Sequence, residues 1–421
     1  ADTTSQKQSL PQEVKFENGL RVFLLPDTST PTITLSGNIQ AGTEYDSLSK
    51  AGLANLTATN LMSGTQTQTA LELAKTLENR GATLGFGASR EGVSLGGNSL
   101  SKDLPILIQT LTDVLQNANF PADQVELSRQ RALTTLKLEL DSPNVVARRK
   151  FQQTVYPKNH PFTIFPTAKT LTGLKIADLK TFYSQHYLPS NTMLALVGDF
   201  KVADVKRLLE SSLGKWSTTA TAVKLNYPAA QLPAQQVKVS PSLPGKTQSI
   251  TLMGNKAIDR KDPRYYSALV LNQILGGDTL SSRLGTEIRD RQGLTYGITS
   301  SFAASKQQGT FIVSMQTAPE DAQKATQSTI ALLKDLQAKG VTESEVANAK
   351  SSIASGYTVD LAAPDEIAGA TLGNAIYGLN PNEIIEFPKK IKAVTLEQVN
   401  KVAKELISPD RLVVITAGPP K

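Results

Sequence analysis

The chain carries two kinds of apolar pattern, a helical spacing and short continuous runs, and the two kinds follow one another along its length. An apolar run closes each of two stretches with helical spacing, at 193–197 and 412–416, and predicts a buried strand there. The apolar positions with helical spacing are Ile176, Leu179, Phe182 and Tyr183, and later Leu396, Val399 and Val402. The pattern therefore predicts helices and strands in the same order at two places in the chain.

The same order recurs because the sequence itself is duplicated. Residues 174–198 align without a gap on residues 394–418. Further matches occur at offsets of 217 (250 − 33), 220 (418 − 198) and 221 (364 − 143). The matched pairs are 33–38 with 250–255, Pro143 with Pro364, Tyr156 with Tyr377, Pro189 with Pro409, and Gly198 with Gly418. Such blocks, in one order and at nearly constant spacing, indicate two homologous domains in tandem.

The repeats place the domain boundaries. We predict one domain at 1–216, a second at 237–421, and a linker at 217–236, where Pro228 and Pro233 stand among Ala, Thr and Gln residues. Within each copy, strands come first, then several helices, then a last helix and strand. This order favours an α+β fold in which each domain is a largely antiparallel sheet with helices packed on one face.

Composition excludes several classes of function. The 421 residues carry a net charge of +7, but the basic residues are dispersed and aromatic residues are only 5%, which disfavours nucleic-acid binding. No apolar run approaches the ~20 residues of a membrane span. There is no cysteine, so disulfides and thiolate metal sites are excluded. The two histidines, His160 and His186, lie 26 positions apart (186 − 160) and are interpreted as structural.

Residues 92–96 fit the G-x-S-x-G pattern of serine hydrolases, with Ser94 at the nucleophile position. That pattern works only at a sharp turn from strand to helix. Here the apolar alternation predicts that a strand continues through Ser94, followed by a loop at 97–102. A serine hydrolase is therefore kept only as a remote alternative.

A metal site is missing where the surrounding sequence leads one to expect it. Residues 52–65 resemble the helix that carries H-x-x-E-H in zinc peptidases of the pitrilysin and mitochondrial processing peptidase family, with glycines at the same spacing. Asn55 and Thr59 stand where the family has its two histidines, and Ala58 stands at the general base. The family's third ligand, a glutamate, falls on Thr135. The resemblance thus implies a chain without its own zinc.

The resemblance extends over about 400 residues and implies a further site. In the family, two homologous halves enclose a chamber that opens to admit peptides, here through movement about the linker. The domain opposite the zinc supplies an arginine and a tyrosine that contact substrate, and Arg289 and Tyr296 match them at seven residues' separation (296 − 289). Neighbouring Arg291 competes for the arginine role. The other matching stretches are 18–22, 159–162, 182–199, 275–277, 282–284 and 289–296.

The resemblance implies a zinc-less subunit of a heterodimeric zinc peptidase. Its partner would be a homologous subunit that holds the zinc, its substrates would be peptides, and Arg289 and Tyr296 would act at the partner's site. Three alternatives remain open: a structural protein, a peptide-binding protein without a role in catalysis, and an inhibitor. In the first two, Arg289 and Tyr296 are packing residues. The start at Ala1, followed by the polar stretch 2–8, predicts an exported, periplasmic protein.

Overall fold

The computed structural model describes residues 9–420, and they form two packing units. Unit 1 comprises the described residues up to Leu136 together with Ile164–Leu225 and Asp360–Pro381. Unit 2 comprises Lys137–Thr163, Asn226–Val359 and Asn382–Lys421, of which the last residue lies outside the described range. The stretch 2–8, on which the prediction of export depends, also lies outside the described residues.

Unit 1 contains a six-stranded sheet. Its strands are β1 (Gln12–Lys15), β2 (Arg21–Pro26), β3 (Thr32–Ile39), β4 (Thr83–Ala88), β5 (Val93–Leu100) and β6 (Thr192–Gly198). The order across the sheet is β1-β2-β6-β3-β5-β4, so β4 is an edge strand. The pair of β2 and β6 is parallel, and every other pair in this sheet is antiparallel.

Unit 2 repeats that sheet with one strand fewer. Its strands are β7 (Val237–Val239), β8 (Ser249–Lys256), β9 (Gly297–Phe302), β10 (Thr310–Thr317) and β11 (Val413–Ala417). Their order is β7-β11-β8-β10-β9, in which β7 and β11 are parallel. This order matches β2-β6-β3-β5-β4 strand for strand, and β9 is the edge strand that corresponds to β4. The prediction of two homologous α+β domains is confirmed.

The helices follow the same duplication. The α-helices are α1 (Leu53–Thr59), α2 (Ala70–Glu78), α3 (Leu104–Asn117), α4 (Ala122–Glu139), α5 (Pro143–Val155), α6 (Ala168–Gly173), α7 (Ile176–His186), α8 (Val202–Glu210), α9 (Tyr265–Leu275), α10 (Ala322–Lys339), α11 (Glu343–Asp360), α12 (Pro364–Ile376), α13 (Glu383–Lys392) and α14 (Leu396–Leu406). A π-helix spans Gly285–Arg291. The repeated prolines Pro143 and Pro364 are the first residues of α5 and α12, a position where the missing N–H costs nothing.

Each sheet has its main layer of helices on one face and a single helix from the other half of the sequence on the other face. In β3, Ile33 and Leu35 point into the main core of unit 1. Thr34 points the opposite way, and its hydroxyl donates to Asp365 of α12, 3.4 Å away. Helix α12 thus comes from the second half of the sequence but packs in unit 1. Helix α5 is the opposite case: it comes from the first half, and its Phe151 packs in unit 2 with residues of β8 and β11. Packing units and sequence repeats therefore divide the chain differently.

Three further features bear on the sequence-based expectations. The segment 217–236 contains neither helix nor strand, and Ala230 within it is buried in the core of unit 2. Ser94 lies inside β5, and its hydroxyl donates to the carbonyl of Gly87, so it does not sit at a strand-to-helix turn. Among the described residues, no helix is both long and apolar enough to cross a membrane.

Candidate functional site

Helix α1, which carries the zinc-motif positions, is held by a buried carboxylate. Asp46 is 6% exposed and accepts hydrogen bonds from the backbone N–H groups of Gly52 and Ala54, each at 2.9 Å. These are N–H groups at the helix start that have no partner within the helix. Gly52 has φ of +102°, and a Cβ there would lie 2.5 Å from Leu171 Cδ2. The glycine before the motif is therefore required by backbone conformation and by packing.

The residues at the zinc-motif positions do not fit a zinc ion. Asn55 and Thr59 are exposed, one helical turn apart on the same face, while Ala58 is buried. The hydroxyl of Thr59 donates to the carbonyl of Asn55 at 2.8 Å, so it already serves the helix backbone. Thr135 is exposed on α4. Zinc in proteins takes imidazole, thiolate or carboxylate ligands, and none of the four residues supplies one.

Beside α1 lies the open edge of the first sheet. Helix α1 packs against β4. In the antiparallel pair with β5, the main-chain N–H and C=O groups of Leu84, Phe86 and Ala88 point away from β5. Within the described part of the chain, no backbone or side-chain group hydrogen-bonds to these outward groups. Unit 1 thus offers an unpaired strand edge next to the zinc-motif helix.

Arg289 lies on the π-helix of unit 2. A π-helix is wound more widely than an α-helix, and its hydrogen bonds span five residues instead of four. The N–H of Gln292 accordingly donates to the carbonyl of Glu287, five residues back, at 3.0 Å. Gly293, with φ of +63°, ends the element in a conformation that suits glycine. The side chain of Gln292 bridges Glu287 and Ser328, with bonds of 2.7 and 2.8 Å, and so ties the π-helix to α10.

The structure brings Arg289 and Tyr296 together. The Nε of Arg289 donates to the carbonyl of Tyr296 at 3.2 Å, and its Nη1 contacts the carboxylate of Asp290 at 2.8 Å. The Tyr296 N–H donates to Gln316 of β10 at 3.0 Å, which fixes the residue just before β9. The Tyr296 side chain is 60% exposed, and that of Arg289 is 37% exposed. Both side chains are therefore accessible, and neither is a core packing residue.

Arg291, the competing arginine, is held elsewhere. Its Nε donates to Glu287 Oε2 at 2.5 Å, and its Nη2 contacts the other oxygen of the same carboxylate. The hydrogen bonds from Arg291, with that from Gln292, lower the pKa of Glu287 to about 2. This fork-to-fork pair points Arg291 back along its own helix rather than toward Tyr296.

Both histidines pack in aromatic clusters. His160 is 3% exposed, and its Nδ1 accepts the backbone N–H of Phe162 at 3.0 Å. The ring of His186 lies 4.4 Å from that of Tyr45, and burial lowers the pKa of His186 to about 4. A neutral, buried imidazole agrees with the structural interpretation.

Sequence reasoning missed Asp46 because its role depends on contacts with residues six and eight positions further along the chain. It missed the π-helix because no sequence pattern marks one.

Two family models match the chain. The model described as "Insulinase (Peptidase family M16)" covers residues 21–161, and the model described as "Peptidase M16 inactive domain" covers residues 173–353. A protein of Bacillus subtilis named as the uncharacterized zinc protease YmxG is 21% identical over 396 residues, which cover 94% of this chain and 95% of that protein.

Solved structures share the fold. The crystal structure of a peptidase M16 inactive domain from Pseudomonas fluorescens has a TM-score of 0.88 at 24% identity and covers 98% of both chains. The periplasmic protease PqqL from Escherichia coli has a TM-score of 0.81 at 15% identity, and the match spans 100% of this chain and 47% of that one. With both repeats matched by models of one family, the chain belongs to peptidase family M16.

Proposed function

We propose that this chain is the zinc-less, non-catalytic subunit of a heterodimeric zinc peptidase and that it donates Arg289 and Tyr296 to the zinc site of a homologous partner. The observation that carries the proposal is the contrast between the two halves. The four positions at which the family holds zinc and its base are Asn55, Ala58, Thr59 and Thr135. Arg289 and Tyr296, by contrast, are joined by a hydrogen bond, and the side chain of Tyr296 is 60% exposed and that of Arg289 37% exposed.

The chemistry of the pair suits the role. When a peptide carbonyl is attacked, negative charge develops on its oxygen, and a preorganised guanidinium or phenol donor stabilises that charge. A guanidinium has five N–H donors, so the bonds to Tyr296 and Asp290 orient Arg289 without using all of them. Substrates would be peptides, because the family resemblance and the unpaired edge of β4 both favour extended chains that bind through main-chain hydrogen bonds. A periplasmic location belongs to the same proposal.

The test is reconstitution with a homologue that carries H-x-x-E-H. We expect peptide hydrolysis from the mixture and none from this chain alone. Arg289→Ala is expected to lower turnover about 100-fold, the scale of losing one oxyanion donor, while leaving assembly intact. Arg291→Ala tests the competing arginine, and Arg207→Ala, on an exposed helix of unit 1, is the matched control. A homologue that is fully active alone and indifferent to this chain would refute the proposal.

A peptide-binding protein without a role in catalysis is the second candidate, and the open edge of β4 favours it. Under this alternative, the chain alone binds an unstructured peptide, and neither Arg289→Ala nor Tyr296→Phe changes the turnover of any associated peptidase. The same two variants therefore separate the two candidates, provided that gel filtration shows the complex to be intact in each case.

A further inference from the structure

The outer edge of β9 differs from the outer edge of β4. In the antiparallel pair with β10, the main-chain groups of Ile298, Ser300 and Phe302 point away from β10. One of these groups, the carbonyl of Phe302, accepts from the N–H of Ala304, two residues further along the chain, at 3.0 Å. Two others are bonded by residues outside the strand. The N–H of Ser300 donates to the carbonyl of Gly276 at 2.8 Å, and the hydroxyl of Thr279 donates to the carbonyl of Ile298 at 3.2 Å.

Both bonds come from one segment, residues 276–281, which we call the cover. Its inner end approaches β9 so closely that a Cβ on Gly276 would lie 2.6 Å from Ser300 Oγ and 2.7 Å from Ser300 N. Its tip is folded by Asp278, whose carboxylate accepts the N–H groups of Leu280 and Ser281, each at 2.7 Å. The side chain of Leu280 at that tip is 70% exposed. The cover is thus fixed to the strand by two hydrogen bonds and has no buried side-chain anchor at its tip.

The two bonds imitate a neighbouring strand. A carbonyl accepts from Ser300 and a hydroxyl donates to Ile298, in the positions where the C=O and N–H groups of an adjacent strand would lie. An extended peptide can supply both groups, whichever way it runs. No cover of this kind lies over β4 in the described residues, although β4 is the homologous strand.

We propose that the outer edge of β9 is a second docking edge for an extended peptide and that the cover occupies this edge until a peptide displaces it. The peptide would lie beside Tyr296, the residue that leads into β9. The identity of the ligand as a peptide rests on the proposed function. Because main-chain groups make the bonds, we expect little sequence preference in the peptide.

The chain lacks cysteine, so Leu280→Cys creates a single site for a nitroxide label at the tip of the cover. The ligand is an unstructured twelve-residue peptide of Ala, Ser, Thr and Val, added to this chain alone. We expect the label to become more mobile as the peptide is added, with a saturable dependence on its concentration. A label whose mobility does not change up to millimolar peptide would overturn the proposal.

Thr279→Val in the labelled chain removes one bond of the cover and keeps its shape. Since one neutral hydrogen bond contributes about 1 kcal/mol, we expect the peptide concentration that produces half of the full change in label mobility to fall about fivefold. Thr358→Val, which removes an exposed hydroxyl on α11, is the matched control. Weaker or unchanged peptide binding in Thr279→Val would contradict the displacement model.

Amide exchange provides a measurement that needs no ligand. The Ser300 amide is expected to exchange faster in Thr279→Val and in Gly276→Ala, where the added Cβ pushes the cover away from the strand. Equal exchange in all three chains would show that the cover does not protect the edge. None of these measurements involves hydrolysis, so failure here leaves the reconstitution test with Arg289→Ala unaffected, and the converse also holds.

Discussion

Asp46 is the residue whose ionisation is most closely connected to the candidate site. Burial raises its pKa to about 7, and the hydrogen bonds from Ala54 and Gly52 oppose that rise. The folded chain therefore keeps a proton that the unfolded chain releases above pH ~4. The contribution of Asp46 to the free energy of unfolding is largest below pH ~4 and is lost as the pH rises toward 7.

Asp46→Asn is expected to remove this part of the pH dependence. It should also lower stability by about 1 kcal/mol, because an amide presents one acceptor and one donor to two N–H groups. Urea unfolding between pH 4 and pH 7.5 measures both effects. Asp204→Asn, at an exposed position on α8, is the control. An unchanged slope with pH in Asp46→Asn would show that the carboxylate stays ionised throughout.

Metal content is the second prediction at the scale of residues. Asn55 and Thr59 are neutral, and the hydroxyl of Thr59 already donates within the helix. We therefore expect the purified chain to contain no stoichiometric zinc. Elemental analysis after dialysis measures this directly, with the homologue that carries H-x-x-E-H as the positive control. One tightly bound zinc per chain would overturn the alignment of residues 52–65 with the zinc motif.

At the scale of elements, the sequence predicts those features that repeat or alternate. The helical spacing and apolar runs place α7, α14, β6 and β11 correctly, and the repeated prolines mark the starts of α5 and α12. The expected loop at 97–102 is wrong in part, since β5 continues to Leu100. Its glycines and Asn98 disfavour a strand by propensity, but pairing of β5 with both β3 and β4 overrides that preference.

Other elements depend on contacts that no local pattern records. The π-helix is stabilised by Gln292 bridging to Ser328 on α10, 36 residues away. The cover of β9 depends on the close approach of Gly276 to Ser300, for which a pair of glycines is at most a hint. The spacing of Arg289 and Tyr296 can be read from the sequence, whereas the hydrogen bond that joins them is a property of the fold.

At the scale of the whole molecule, the main finding beyond the sequence is the exchange of helices between the two halves. The chain passes from one unit to the other at 136–137, 163–164, 225–226, 359–360 and 381–382. The linker at 217–236 accounts for one of these five crossings. Any opening about the linker would therefore also have to be accommodated at the other four, two of which lie within helices α4 and α11.

The exchange predicts that neither half of the sequence folds alone. Residues 1–225 lack α12, which covers β2, β3 and β6, and retain α5 without the strands on which it packs. Exposing one face of a sheet and one amphipathic helix to water loses more buried apolar surface than a marginally stable domain can lose.

We expect fragment 1–225 to lack a cooperative thermal transition. Mixing it with fragment 226–421 during refolding is expected to restore that transition. Phe151→Ala in the second experiment is expected to weaken reassembly, since Phe151 is fully buried in unit 2. A cooperative transition in fragment 1–225 alone, at the temperature of the intact chain, would show that the exchanged helices are dispensable.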